Sequence, residues 1–381
     1  MTRQSVDPVR VDRTCSLMKT LLSASDVSAY VQHAVGLTGH DLVSIGQIVL
    51  EAFRKRSMYS EAQLLSLNDP AEMRIVLNLL AANRATRTAF HNSKLRIDDP
   101  SEKPYELNSL LRNPIVRFES EYFAPYPELI GYGNARGIFF RFCEEGREAF
   151  RAPFVRAFES ITAAILRSAL PGAVILTEEE ERQLGWHGKT NDVTVIVGDT
   201  ALMIECKLSG LFVDAKRTAA PDAISADVRK QIADGKTRRS LFQLHDNREA
   251  ITSGAIPAPL AEKYKHVKRF FPVMLLFDAM EHANAGVTIG NIVKDELLAY
   301  GVSTFDYQIW HLEELSWLAE YAGQALMEWV SEKFTDKYRS MGLNSFVGDR
   351  RGKQIFRPIM YMPHGDTKAY RILKRLSQAG L

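Results

Sequence analysis

The stretch TNDVTVIVGDTALMIECK, Thr190 to Lys207, constrains the fold more than any other part of the chain. Gly198-Asp199 reads as a two-residue loop between two apolar runs, and a glycine at the first central position suits a type II′ hairpin turn. Such a loop fixes the register. Val197 faces Thr200, and counting outward sets Asp192 opposite Glu205. Side chains alternate along a strand, so Thr194 and Lys207 join Asp192 and Glu205 on one face. Val193, Val195, Val197, Leu202, Ile204 and Cys206 take the other face as core material. The spacing thus gathers two carboxylates and an ammonium at the open end of the hairpin.

Two facing carboxylates repel each other, at a cost on the order of a few kcal/mol in a partly buried place unless a cation sits between them. Lys207 offsets part of this. A divalent cation offsets more, and one or two carboxylates are what Mg²⁺ takes from a protein when phosphate supplies other ligands. The plain alternative for an acid-x-Lys triplet is a structural ion pair. Asp214-Ala-Lys216, Asp234-Gly-Lys236 and Asp366-Thr-Lys368 have the same spacing, and none closes a clear apolar strand with an acid opposite. Glu205-Cys206-Lys207 does.

The 381 residues allow more than one domain, and 46% hydrophobic with 25% charged content is ordinary for a soluble globular chain. No apolar run has the length of a membrane helix, and the first residues, MTRQSVDPVRVDRTCS, hold no apolar signal core. A cytoplasmic protein without a membrane partner is expected. Three cysteines far apart make neither a disulfide framework nor a zinc site, and the histidines form no metal-binding pattern. No P-loop, dinucleotide fingerprint or nucleophile elbow is present.

Residues 1–112 read as a helical domain. Leu42, Ile45, Ile48, Val49 and Phe53 form one stripe, and Asp69-Pro70 with Glu72 reads as a helix start with a capping box. Residues 113–320 read as an α/β domain: short strands and loops to residue 143, a helix from Pro153, the strand AVILT, the hairpin, a helix over ISADVRKQIADGKTRRSLFQL, and the strands FPVMLLF and FDYQIWHL. The four glutamates Glu178 to Glu181 read as a solvated loop. Residues 321–381 form a basic extension. Lys and Arg outnumber Asp and Glu there and again from Lys207 to Arg239, which suits a polyanion.

At Asp192 and Glu205-Cys206-Lys207 the chain resembles the PD-(D/E)xK nuclease superfamily, whose members place an Asp at the start of one hairpin strand and (D/E)-x-K at the end of the next. The resemblance covers residues 150 to 315. It implies a restriction-endonuclease-like core, a central mixed sheet flanked by helices. It implies metal ligation by Asp192, Glu205 and the Cys206 carbonyl, and water activation by Lys207. Glu159 matches the Glu that many members carry on the preceding helix. Gln231 or Gln243, with Lys230 behind them, matches the Gln or Lys of the following helix, and Gln231 is preferred. Asn191 stands where the family pattern has Pro. The implied activity is a Mg²⁺-dependent endonuclease, with Mn²⁺ able to substitute. DNA is the expected substrate ahead of RNA, and the biological setting is restriction or anti-phage defence. The N-terminal helices would serve a homodimer or a partner protein. The alternative is a nucleic-acid-binding protein on the same fold without catalysis.

Overall fold

A computed structural model of the chain describes residues 8–83, 85, 113–208, 221–277 and 285–352. Most of the basic extension, from residue 353 on, lies outside the described residues, as do the triplets at 214–216 and 366–368. Among the described residues no helix is long and apolar enough to cross a membrane.

The chain divides into two compact units, the first reaching Ala157 and the second beginning at Phe158. In the first, the helix Gly39–Lys55 opens on Thr38, whose side chain accepts from Asp41 N. It buries Leu42, Ile45, Val49 and Phe53 and leaves Ile48 exposed, at the edge of the stripe. In the helix Pro70–Leu80 the Asp69 carboxylate accepts from Ala71 N and Glu72 N at 2.9 and 3.1 Å. Glu72 turns to the Asn68 amide, 3.1 Å away, instead of closing a capping box. Short strands pair in the order Met58–Ser60, Glu121–Phe123, Ile115–Phe118, Ala81–Ala82. This pairing ties residues 115–123 to the N-terminal region, so the division falls at residue 157 and not at 112. Pro153 lies inside the 32-residue helix α1 (Ile138–Ala169) and does not open it.

The second unit is an α/β fold with a mixed sheet flanked by helices. Its strands are β1 (Val174–Thr177), β2 (Val193–Val197), β3 (Thr200–Lys207), β4 (Ala233–Asp234), β5 (Arg239–Ser240), β6 (Arg269–Leu276) and β7 (Gln308–His311). Five of them form one sheet in the order β7-β6-β3-β2-β1. β1, β2 and β3 pair antiparallel, whereas β6 runs parallel to both β3 and β7. Helix α2 (Glu178–Gln183) follows β1, and α3 (Pro221–Gln231), α4 (Leu241–Thr252), α5 (Ala258–Tyr264) and α6 (Ala285–Ala299) follow in turn.

The hairpin has the expected register, with Val197 opposite Thr200 and Val193 opposite Ile204. Gly198 makes the turn at φ 60°, a conformation that disfavours any side chain. Both faces of the sheet are buried, not one. Val193, Val195, Leu202 and Ile204 are covered, and Phe158 of α1 meets the Phe277 ring at 6.1 Å. On the opposite face Ile196, Ala201, Met203 and Met274 join a core with Val228, Phe242 and Val293 from α3, α4 and α6. Double coverage is the usual state of a sheet with parallel strands.

The single helix expected over residues 224–244 is broken. Helix α3 ends at Gln231 and α4 starts at Leu241, and between them Gly235 passes so close beneath the Tyr300 ring that a Cβ there would lie 2.3 Å from it. The expected boundary at residue 320 falls inside the helix Leu312–Ala322, which belongs to the second unit.

Candidate active site

β3 ends at Lys207, and β2 begins beside it at Val193. Continuing the register by one residue sets Asp192 across from Glu205, near enough for the charge of Glu205 to act on it. Asp192 Oδ2 accepts from Cys206 N at 2.6 Å. This short bond between a carboxylate and a main-chain N–H locks the acid across the end of the strand. Glu205 is almost fully buried. Lys207 Nζ donates to its Oε1 at 2.6 Å, and Gln243 Nε2 donates to its Oε2 at 2.9 Å. Gln243 also donates to Thr190 O at 2.5 Å and so joins α4 to the chain just before Asp192. The Lys207 side chain keeps 29% of its surface exposed and marks where the site opens to solvent.

The charges are poorly matched. Burial raises the pKa of Asp192 well above the usual carboxylate range, and Glu205 adds to this while Lys207 and the Cys206 N–H oppose it. Burial also raises Glu205, against the pull of Lys207, and the negative charges of Glu159 and Glu178 push it further. Burial alone would lower Lys207, but Glu205 and Asp192 outweigh it and hold the ammonium in its charged form. One cation thus answers a group of acids in a desolvated place. A further hard cation is what such a set lacks.

Asp192, Glu205, Lys207 and the Cys206 main chain come together as the spacing predicts. Glu159, on α1, is close enough for its charge to act on Glu205 and Cys206. Gln231 is not the glutamine that touches the acids. It ends α3, and its main-chain carbonyl accepts from Ser240 Oγ at 2.9 Å. The break at Gly235 resets the helical phase and brings Gln243 to Glu205 instead. His187 is exposed in the loop before the hairpin.

The four glutamates are not a solvated loop. They open α2, capped by Thr177, and the Glu178 main-chain N donates to Asp192 O at 3.3 Å. Glu181 is fully buried behind the site. Its Oε1 accepts from Tyr264 OH at 3.0 Å and Thr194 Oγ1 at 3.3 Å. Asn191 donates to Thr194 Oγ1 at 3.1 Å and packs against the Asn247 amide. This buried polar set braces the residues on either side of Asp192. Only the helical phase of the acidic run, with Thr177 as its cap, signals that one acid points inward.

Among the described residues no group of three or more His, Cys, Asp or Glu side chains is arranged to hold a metal ion. The fit for a divalent cation rests on one buried and one half-buried carboxylate and main-chain oxygen, a hard donor set. No family model matches the chain, and neither a curated protein nor a solved structure does.

Proposed function

We propose that the second unit is a restriction-endonuclease-like domain that hydrolyses phosphodiester bonds in nucleic acid, DNA ahead of RNA, with Mg²⁺ or Mn²⁺. The observation that carries this reading is half-buried Asp192 held on the Cys206 N–H at the hairpin end, beside buried Glu205 with Lys207 bonded to it. Asp192, Glu205 and the Cys206 carbonyl would hold the cation. When bound, it would polarise a phosphoryl oxygen and acidify a water. Lys207, kept protonated by the two acids, is a donor that can hold the attacking water and stabilise charge developing on the phosphate. Gln243 holds the second oxygen of Glu205 and fixes how that carboxylate faces the site. Glu159 adds negative charge from the α1 side.

The test is incubation of the purified protein with plasmid DNA in Mg²⁺, Mn²⁺ or EDTA, beside Lys207→Ala and Asp192→Ala. Metal-dependent nicking or linearisation is expected, and each variant should lose it by at least about a hundredfold, as when a transition-state donor is removed. Full activity in either variant would sink the assignment. A second reading rests on the occupancy of Glu205, both of whose oxygens already accept hydrogen bonds. It makes the domain a nucleic-acid-binding module without turnover. Salt-sensitive binding with no cleavage in any metal would select it.

A further inference from the structure

The site proposed above must receive a polyanion, yet its own interior is acidic. The charge that draws a phosphate chain there has to come from beside the carboxylates. The described residues offer one segment built for this, the turn at residues 234–240, sequence DGKTRRS.

This turn is held in place from several sides. β4 and β5 close it, with Ala233 opposite Ser240 and Asp234 opposite Arg239. Inside, the Asp234 carboxylate accepts from Thr237 N at 3.1 Å and Thr237 Oγ1 at 2.6 Å. Arg238 Nε donates to Asp246 Oδ2 at 2.6 Å, and its guanidinium lies 5.0 Å from the Phe242 ring centroid. Lys189 donates to Thr237 O, and to Arg238 O at 2.9 Å. Two non-glycine residues here have positive φ, Arg238 at 48° and Ser240 at 62°. Such conformations persist only where the surroundings impose them.

The anchors also set the turn's location. Lys189 lies three residues before Asp192, and Ser240 precedes α4, whose first turn carries Gln243 to Glu205. Both of the turn's links lead to the carboxylate pair. The two acids that face its cations are engaged, Asp234 on Thr237 and opposite Arg239, and Asp246 of α4 on Arg238. Lys236 and Arg239 remain exposed and make no side-chain hydrogen bond among the described residues, although Arg239, opposite Asp234 on the ladder, also acts on that carboxylate through its charge. Two exposed cations on a rigid turn beside the acidic pair match a phosphodiester backbone. Rigidity lowers the ordering cost of binding, and charge contacts of this kind hold nucleic acid without reading its sequence.

We propose that residues 234–240 form a phosphate-backbone grip, with Lys236 and Arg239 contacting the strand next to the bond positioned at Asp192 and Glu205. The proposal rests on the nuclease reading for its substrate, but it is tested by binding and not by cleavage. Fluorescence anisotropy of the full chain in EDTA, with labelled duplex DNA and labelled RNA across a salt series, is the measurement. The variant K236E/R239E should bind at least about tenfold more weakly, with a log–log salt slope smaller by about two and a cooperative melting transition that shows the chain still folded. K236Q/R239Q should fall between. In Mg²⁺ the reversed pair should raise KM and leave kcat in place.

Unchanged affinity and slope in K236E/R239E, with cleavage still abolished by Lys207→Ala, would overturn the grip and spare the active site. Wild-type protein that binds neither DNA nor RNA would overturn the grip outright. Binding lost in K236E/R239E, with no cleavage in any metal, would uphold the grip and remove the catalytic reading.

Discussion

Two lysines of the second unit are drawn toward its interior and are held in opposite ways. Lys333, on the helix Leu326–Lys333, is fully buried among neutral acceptors. Its three protons go to Gln308 Oε1 at 2.7 Å, Tyr338 O at 2.9 Å and Arg339 O at 3.1 Å. Burial pulls its pKa down to about 8. Lys207 is more open and faces carboxylates, which raise its pKa despite desolvation. The difference separates a structural cation from a poised one. Lys333 has a dipole for each proton and nothing more to do. Lys207 sits among more negative charge than it can neutralise, and that imbalance is what a cation and a phosphate chain would complete.

Removing each lysine in turn is the strongest way to break the comparison. Lys333→Met leaves the buried Gln308 Oε1 without its donor, while Tyr338 O keeps Met341 N and Arg339 O keeps Gln308 Nε2, so it should cost about 2 kcal/mol of stability while cleavage per folded molecule persists. Lys207→Met should remove cleavage altogether, and since it takes the ammonium from the buried Glu205 it should cost stability as well. Cleavage that survives Lys207→Met, counted per folded molecule, would show that Lys207, too, is chiefly structural.

A pH series sharpens the contrast between the site and the polar set behind it. Burial raises Glu181 to about 7, against hydrogen bonds from Tyr264, Thr194 and Asn191. Its Oε2 is buried without a partner among the described residues, which is where a proton would sit. Because the folded pKa is raised, the contribution to stability is complete below the unfolded value near 4.5 and is lost as pH rises through about 7. The loss is about 3 kcal/mol. Asp192 and Glu205 are also raised and add slopes of the same sign, so the informative quantity is the difference between wild type and Glu181→Gln. The variant should show a shallower fall and be the more stable protein above pH 7. Parallel profiles would mean that Glu181 stays ionised.

What the sequence discloses about these places follows from how local their causes are. The hairpin register was legible because Gly198 and the two apolar runs decide it within a few residues. The carboxylate pair follows from that register alone. Lys333 gives no such signal. In MEWVSEKF it reads as an ordinary polar residue of an amphipathic helix, and its burial depends on Gln308 and on carbonyls beyond the helix end. Glu181 is hidden among four identical acids, and only the phase of a short helix sets it apart. In the break after residue 231 the Tyr300 ring, from a distant part of the chain, leaves no room for a side chain at Gly235.

That break gives the smallest and most specific prediction, because it decides between two glutamines that the sequence alone left in competition. Gln243 donates to Glu205 and to Thr190 O, so it links the strand that carries Glu205 to the segment that carries Asp192. Gln231 lies before the break and contributes its main-chain carbonyl to Ser240. Gln243→Ala should lower kcat about tenfold, equivalent to about 1.4 kcal/mol, the loss of one hydrogen bond to a charged group. Gln243→Glu should do worse, since it adds an acid where negative charge is already in excess. Gln231→Ala should leave kcat unchanged, because the main-chain bond from Ser240 survives the substitution. If Gln231→Ala proved the more damaging, α4 would not be the helix that completes the site, and the position of the turn before it would lose its bearing on the substrate.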